Sequence, residues 1–260
     1  MRIAVITGAS SGMGAEFARQ IDRGEEDIDE IWLIARRKQR LEEVGKELSH
    51  PSRVFPLDLT KEESFQTLED AMKEAKVQVG ILVNCAGYGK IGNYAKVSRY
   101  DSINMIDVNC SAAVNITLSC LPFMRPGDRI LQLCSTAAFQ PLQHINIYGA
   151  TKAFLYDYTR ALRMELLPRK IAVTAVCPFW VKDTEFIAIA KKGQRNGEKP
   201  PIKSFPFATT SKKVVKSALR CSRRGYAVCT PGAFCTIHRI FAKIIPREAL
   251  CYFWELMRRM

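Results

Sequence analysis

The sequence has no uncharged apolar run approaching the ~18 residues that a membrane-crossing helix needs, and no Pro/Gly/Ser-rich linker divides its 260 residues. One large domain, residues 1–260, is the expectation, and a hydrophobic content of 47% is enough to give it a core. Histidine is scarce, three in all, and His50 and His238 have no ligand-spaced partners, so no metal site is indicated. Cysteine is not scarce. Its nine thiols, however, lie at scattered core-like positions such as Cys85, Cys110, Cys134 and Cys177 and read as buried and reduced. The strand-like run Arg2 to Ile6 follows the first methionine directly, which leaves no room for a secretory leader and sets the expectation of a cytoplasmic protein.

Acidic residues are also in short supply, 26 against 39 basic ones, for a net charge of +13. Such a field attracts anions: dinucleotide phosphates, nucleic acid, lipid headgroups or an acidic partner protein. No helix-turn-helix, zinc-finger or aromatic-stacking signature accompanies the charge, which argues against nucleic acid as the partner.

What is present is an alternation of apolar strand-like runs with amphipathic helices. Strands are expected at Arg2 to Ile6, Ile31 to Ala35, Arg53 to Pro56, Gly80 to Asn84, Arg129 to Cys134 and Ala172 to Cys177. Helices are expected at Gly12 to Arg23, Lys38 to Leu48, Lys61 to Ala75, within Tyr100 to Met124, and at Ala150 to Leu166. Continuous Val/Ile/Leu runs between such helices indicate a parallel sheet covered on both faces, an α/β doubly wound fold. Ligands of such sheets bind at the carboxyl ends of the strands, where the strand order reverses.

The first crossover reads Ile6-Thr-Gly8-Ala-Ser10-Ser11-Gly12-Met13-Gly14, a strand running into a glycine-rich turn and a helix. Glycines let the backbone approach a pyrophosphate, whose charge the amides and dipole of the helix start favour. A turn that merely packs helix on strand would look the same. Further on, Tyr148 and Lys152 are four residues apart at a helix start, hence on one face. A neighbouring cation in a dry cleft, together with the charge of an oxidised nicotinamide, would lower a phenol from its usual ~10 toward a value suited to proton transfer. The spacing also arises on any amphipathic helix.

These motifs together resemble the short-chain dehydrogenase/reductase family. Its other short motifs follow in order: Asn84-Cys-Ala86-Gly87, then Asn109, Ser135 and Pro178, so that the resemblance covers residues 1 to about 184. It implies a Rossmann-like fold in which Tyr148 is the acid/base, Ser135 holds the reacting oxygen, Lys152 binds the nicotinamide ribose, and Asn109 shapes its helix and positions a proton-relaying water. It further implies dinucleotide contacts from Gly8, Ser10, Ser11, Gly12, Met13, Gly14, Asp58, Leu59, Asn84, Ala86, Gly87, Tyr148, Lys152, Pro178, Val181 and Thr184, and a homodimer or homotetramer. Asp58 also suits a local helix cap, as does Thr60.

Strand two ends in Arg36-Arg37, where a fold reading NAD normally offers an acid to the ribose hydroxyls. Arginine favours a 2′-phosphate instead, which points to NADP(H). The same residues also suit a solvated basic helix start, continued by Lys38 and Arg40.

Two features depart from the family pattern. Pro178 is followed by Phe179-Trp180 rather than glycine, and Phe186 to Thr210 is a basic lid-like stretch with Lys191, Lys192, Arg195, Lys199 and Lys203 around Pro200-Pro201. His144, Phe179 and Phe186 are candidate substrate-wall residues, although His144 also suits an exposed loop. The segment 234–260 mixes Phe241, Leu250, Phe253, Trp254 and Met257 with basic residues. Core or subunit packing, a cover over the site and a membrane-surface face all remain open for it.

The expected activity is therefore an NADP(H)-dependent interconversion of a ketone and a secondary alcohol, on a hydrophobic, steroid- or lipid-like substrate. A 3-oxoacyl-carrier-protein reductase, whose basic lid docks an acidic carrier, and a non-catalytic NADP sensor are the alternatives.

Overall fold

Successive strand side chains point to opposite faces, so β1 (Arg2–Thr7) presents Ile3 and Val5 to one side of the sheet and Ala4 and Ile6 to the other, all fully buried. Both faces therefore need cover. In the computed structural model, which describes residues 1–24, 26–191, 201–205 and 207–259, that cover comes from two helical layers. On the Ala4/Ile6 face lie α1 (Gly12–Asp22), α2 (Lys38–Lys46) and, later in the chain, a helix at Ser211–Arg223. On the Ile3/Val5 face lie α3 (Glu62–Glu74) and two further helices that follow β4 and β5. Each large aliphatic side chain buried this way contributes about 1.5–3 kcal/mol.

The sheet continues with β2 (Glu30–Ala35), β3 (Ser52–Pro56), β4 (Gln78–Asn84), β5 (Arg129–Leu133) and β6 (Ala172–Val176), all parallel, in the order β3-β2-β1-β4-β5-β6-β7. The last strand, β7 (Val228–Cys229), pairs with β6 and was not expected from the sequence. Two residues carry too little pattern to announce a strand. The order reverses between β1 and β4, which opens the crevice at the carboxyl ends of Thr7 and Asn84.

The helical stretch after β4 comprises α4 (Arg99–Ile106), a π turn (Asp107–Ser111) and α5 (Ala112–Cys120) and runs on to Phe123. By length and composition it could cross a membrane. Here Ala112, Ile116 and Cys120 bury it against the sheet beside α3. α6 (Asn146–Leu166) starts four residues earlier than expected, which places Tyr148 inside its first turn. The basic stretch after β6 opens as a short helix, α7 (Phe186–Lys191). Lys192, Arg195, Lys199 and Pro200 lie outside the described residues.

The chain closes with α8 (Ser211–Arg223), β7, α9 (Ala233–Ile244) and α10 (Arg247–Arg259). Pro246, which cannot continue a helix, stands between the last two. Two buried polar clusters tie the lower rim of the sheet. Asp128, fully buried, accepts hydrogen bonds from Arg2, Gln78 and the Arg125 amide, and Arg129 pairs with Glu26.

Candidate active site

The glycine turn after β1 works by excluding side chains. Gly8 has φ +67°, and a Cβ there would stand 2.9 Å from the Ala86 nitrogen. A Cβ on Gly14 would stand 2.2 Å from the Gly8 carbonyl oxygen, an overlap that no adjustment of a side chain relieves. The Thr7 hydroxyl accepts from the Cys85 and Ala86 amides at 3.0 Å, which locks the β4 loop against the turn. α1 then begins without a side-chain cap: Ser11 is extended at the N-cap, and its hydroxyl accepts from Arg37 at 2.7 Å instead. First-turn amides with no capping side chain, beside a backbone that only glycine permits, fit the pyrophosphate of a dinucleotide.

Around this cradle the proposed contacts sort by geometry. Arg37 turns back onto the loop and donates to the hydroxyls of both Ser10 and Ser11, whereas Arg36 is exposed at the end of β2. Asp58 accepts from the amide and hydroxyl of Thr60, the local-cap arrangement, with Leu59 buried beside it. The Asn84 amide is committed to the core, donating to the Ala113 carbonyl and the Thr117 hydroxyl of α5. Thr184 lies over Gly12, 3.3 Å from where a Cβ would be.

The four residues expected to be catalytic come together. Asn109, in the π turn, accepts from the Tyr88 amide and donates to the Tyr88 carbonyl and the Thr151 hydroxyl. It thereby clamps the β4 loop to α6 and stands against Gly87, where a Cβ would lie 2.8 Å from its oxygen and 3.6 Å from Lys152 Nζ. Ser135 follows β5, accepts from the Ala137 amide at 3.1 Å and makes a long contact to the Pro178 carbonyl at 3.4 Å. Tyr148 and Lys152 are both buried.

Lys152 Nζ stands 5.7 Å from the Tyr148 ring centroid and donates to the Leu133 carbonyl. Burial pushes the Tyr148 phenol well above its ordinary value, and the group that pulls it back is Ser135, through a hydrogen bond. Burial lowers Lys152, partly offset by the surrounding thiols Cys134, Cys85, Cys110 and Cys177. Burial is the first cause of both shifts.

A cavity of about 480 Å³ runs from Met13, Gly87 and Thr184 past Ser135 and Tyr148 to a mouth between α9 and α10. Pro178, Phe179, Val181 and Phe186 line it, and the Phe186 ring lies 5.2 Å from that of Tyr148. Its neighbours Leu142 and Ile145 line the wall, but His144 does not; it takes a left-handed φ of 64°, with its carbonyl accepting from Gly92. The Phe179-Trp180 pair anchors the start of the following segment: Trp180 packs edge-on against Phe205, and Val181 bridges to Thr209. Gln140 and His238 also line the cavity, hydrogen-bonded to each other at 2.7 Å, and were not anticipated. Their 98-residue separation leaves no local signal. Among the described residues no group of His, Cys, Asp or Glu could hold a metal ion.

With this geometry in place, comparison with known proteins is decisive. The family profile of short chain dehydrogenases matches residues 2–194. The chain belongs to the short-chain dehydrogenase family. Sulfoacetaldehyde reductase 2 of Chromohalobacter salexigens is 36% identical over 202 residues, 74% of this chain and 77% of the relative. Among solved structures, a short-chain dehydrogenase from Sphingobium yanoikuyae in complex with NADPH superimposes with a TM-score of 0.78 at 27% identity, covering 96% of this chain and 95% of the other. The bulky-bulky ketone specific alcohol dehydrogenase of Comamonas testosteroni does so with a TM-score of 0.74 at 25% identity, covering 94% and 92%. The family match thus takes in the glycine turn and the four positions expected to be catalytic, while α8, β7, α9 and α10 lie beyond it.

Proposed function

We propose that the protein is an NADP(H)-dependent oxidoreductase that reduces a bulky, apolar ketone to a secondary alcohol and can run the reverse. The observation that carries this reading is the cavity, which runs from Met13 of the glycine turn past Tyr148 to a largely aromatic and aliphatic wall. NADPH in the Sphingobium yanoikuyae structure and the bulky ketones of the Comamonas testosteroni enzyme support the two halves of it, as does Arg37 beside Ser10 and Ser11.

The dinucleotide, when bound, supplies the hydride that reduces the carbonyl carbon or accepts it back. The chain supplies the rest. Tyr148, held protonated by burial, donates its proton to the carbonyl oxygen. Ser135 exchanges its long contact with the Pro178 carbonyl for a hydrogen bond to that same oxygen, a donor placed where negative charge develops. Lys152, held at the Leu133 carbonyl with Nζ 5.7 Å from the Tyr148 ring centroid, supplies positive charge beside the phenolate left behind. Asn109 keeps the β4 loop and α6 in register. General acid catalysis of this kind contributes about 10²–10⁴ in rate.

The mouth carries exposed Ile237, Phe241 and Phe253, which also line the cavity, beside Lys243 and Arg247. This supports uptake of a steroid- or lipid-like substrate at an anionic membrane surface. Exposed Ile103, Leu118, Phe154 and Met164 on α4, α5 and α6 support a homo-oligomer. The test is a panel of ketones and alcohols assayed with NADPH/NADP and NADH/NAD separately, with and without anionic vesicles. Turnover of bulky free ketones with NADPH is the expected result. Salt-sensitive activity on carrier-linked substrates alone would favour the acyl-carrier reading, and no turnover at all the sensor reading.

A further inference from the structure

The group that meets Arg37 is a carboxylate from elsewhere in the chain. Glu185 lies 2.9 Å from one guanidinium nitrogen of Arg37 and 3.3 Å from one of Arg40. The same carboxylate is held below its usual value, first by the Arg37 hydrogen bond and also by Ser11 and Arg40. Two arginines and a serine hydroxyl around one anion are the donor set that recognises a phosphate monoester. Of these residues, Arg37 is one of the two arginines read above as favouring the NADP(H) 2′-phosphate, and Arg40 continues the basic start of α2.

Position in the chain gives the contact a consequence. Asp183 is fixed by two hydrogen bonds to Ser211 at the start of α8, and Thr184 lies over Gly12. Glu185 reaches to the start of α2, and the next residue, Phe186, packs on the ring of Tyr148. One short segment therefore links the basic cluster, the glycine turn and the proton donor. Both partners of the ion pair are partly exposed, with side-chain exposures of 44% for Arg37 and 37% for Glu185. An exposed pair of this sort is worth about 0–1 kcal/mol, so a dianionic phosphate can displace it.

We propose that Glu185 is an internal competitor for the 2′-phosphate of NADP(H): it holds Arg37 and Arg40 until the phosphate displaces it, and its release loosens the segment that carries Phe186 over Tyr148. This rests on the NADP(H) reading of Arg37. Glu185 thereby acts as a specificity residue. It lowers affinity for NADP(H) and couples loading of the nucleotide to the wall of the substrate cavity.

The test uses 2′,5′-ADP, which carries the phosphate without the nicotinamide, and 5′-ADP, which lacks it. Calorimetric affinities are compared for the native protein and Glu185→Gln, together with hydrogen exchange of the peptide spanning residues 184–191. The expected result is that Glu185→Gln binds 2′,5′-ADP about three- to tenfold tighter, no more than ~1.4 kcal/mol, with 5′-ADP unchanged. Exchange in the segment should rise on adding 2′,5′-ADP to the native protein and already be high in the variant. If the native protein prefers 2′,5′-ADP but the variant binds it no more tightly, or binds both nucleotides more tightly alike, the competitor proposal is wrong. Should the native protein fail to distinguish the two nucleotides, the 2′-phosphate reading itself is overturned, and the proposal with it.

Discussion

The two ends of the cavity are built on opposite principles. At the end beside Met13 the adjoining turn is fixed by backbone: Gly8 and Gly14 stand where a Cβ would strike the Ala86 nitrogen and the Gly8 carbonyl oxygen, and Arg37 donates to the Ser10 hydroxyl of the same turn. At the substrate end the wall is side chain, with Phe179, Phe234, Trp254 and Met257 filling space between loops and helices that are far apart in sequence. A backbone wall fits one ligand shape and tolerates no added atom. A side-chain wall can be resized residue by residue, and most of it comes from the part of the chain beyond the family match.

The largest effect expected is at the junction of the two ends. Tyr148→Phe should lower ketone reduction by about 10²–10⁴ while leaving NADPH binding, followed by fluorescence, unchanged. Undiminished turnover would remove the proton donor from the account. Because burial raises the phenol, the native rate of reduction should hold as pH rises and fall only above the ordinary phenol value of about 10.

Trp254→Ala tests the side-chain end. Trp254 is buried, and its indole donates to the Gln143 carbonyl at 3.0 Å, so its loss should cost about 3–5 kcal/mol in urea unfolding. The KM for bulky ketones should change with nucleotide affinity kept. Equal losses of both would break the comparison.

Gly14→Ala tests the backbone end, where a single methyl is expected to cost about 1–3 kcal/mol of stability and to abolish measurable nucleotide binding. Normal binding would show that the cradle is looser than its 2.2 Å approach implies. Arg37→Gln should weaken NADPH by roughly tenfold, as loss of a hydrogen bond to a charged group of about 1.5 kcal/mol would, with NADH barely affected. Arg36→Gln, at the exposed position, should do less.

Much of the dinucleotide end was legible in the sequence because its signals are local. Gly8 to Gly14 sits inside one strand-turn-helix, and Tyr148 with Lys152 inside one helical turn. Asn84 shows the limit of that legibility: its motif was visible, but not that its amide would be spent on α5. His144 was drawn in by nearness along the chain, yet its left-handed turn leaves the wall to Leu142 and Ile145. His238 was passed over because nothing beside it in sequence marks it, and it became part of the wall when α9 folded back against Gln140.

The sequence by itself determined the alternation that makes a two-faced parallel sheet, the bare glycine turn at its first crossover and the i, i+4 placement of the phenol and the amine, since each depends on residues within one or two turns. Tertiary structure decided where the charges went. Whether Lys152 turns to the Tyr148 phenol or to the Leu133 carbonyl, and whether Arg37 meets solvent or Glu185, depends on how strands and loops distant in sequence are brought side by side. Burial then raises the phenol, and burial is a property of the packed molecule.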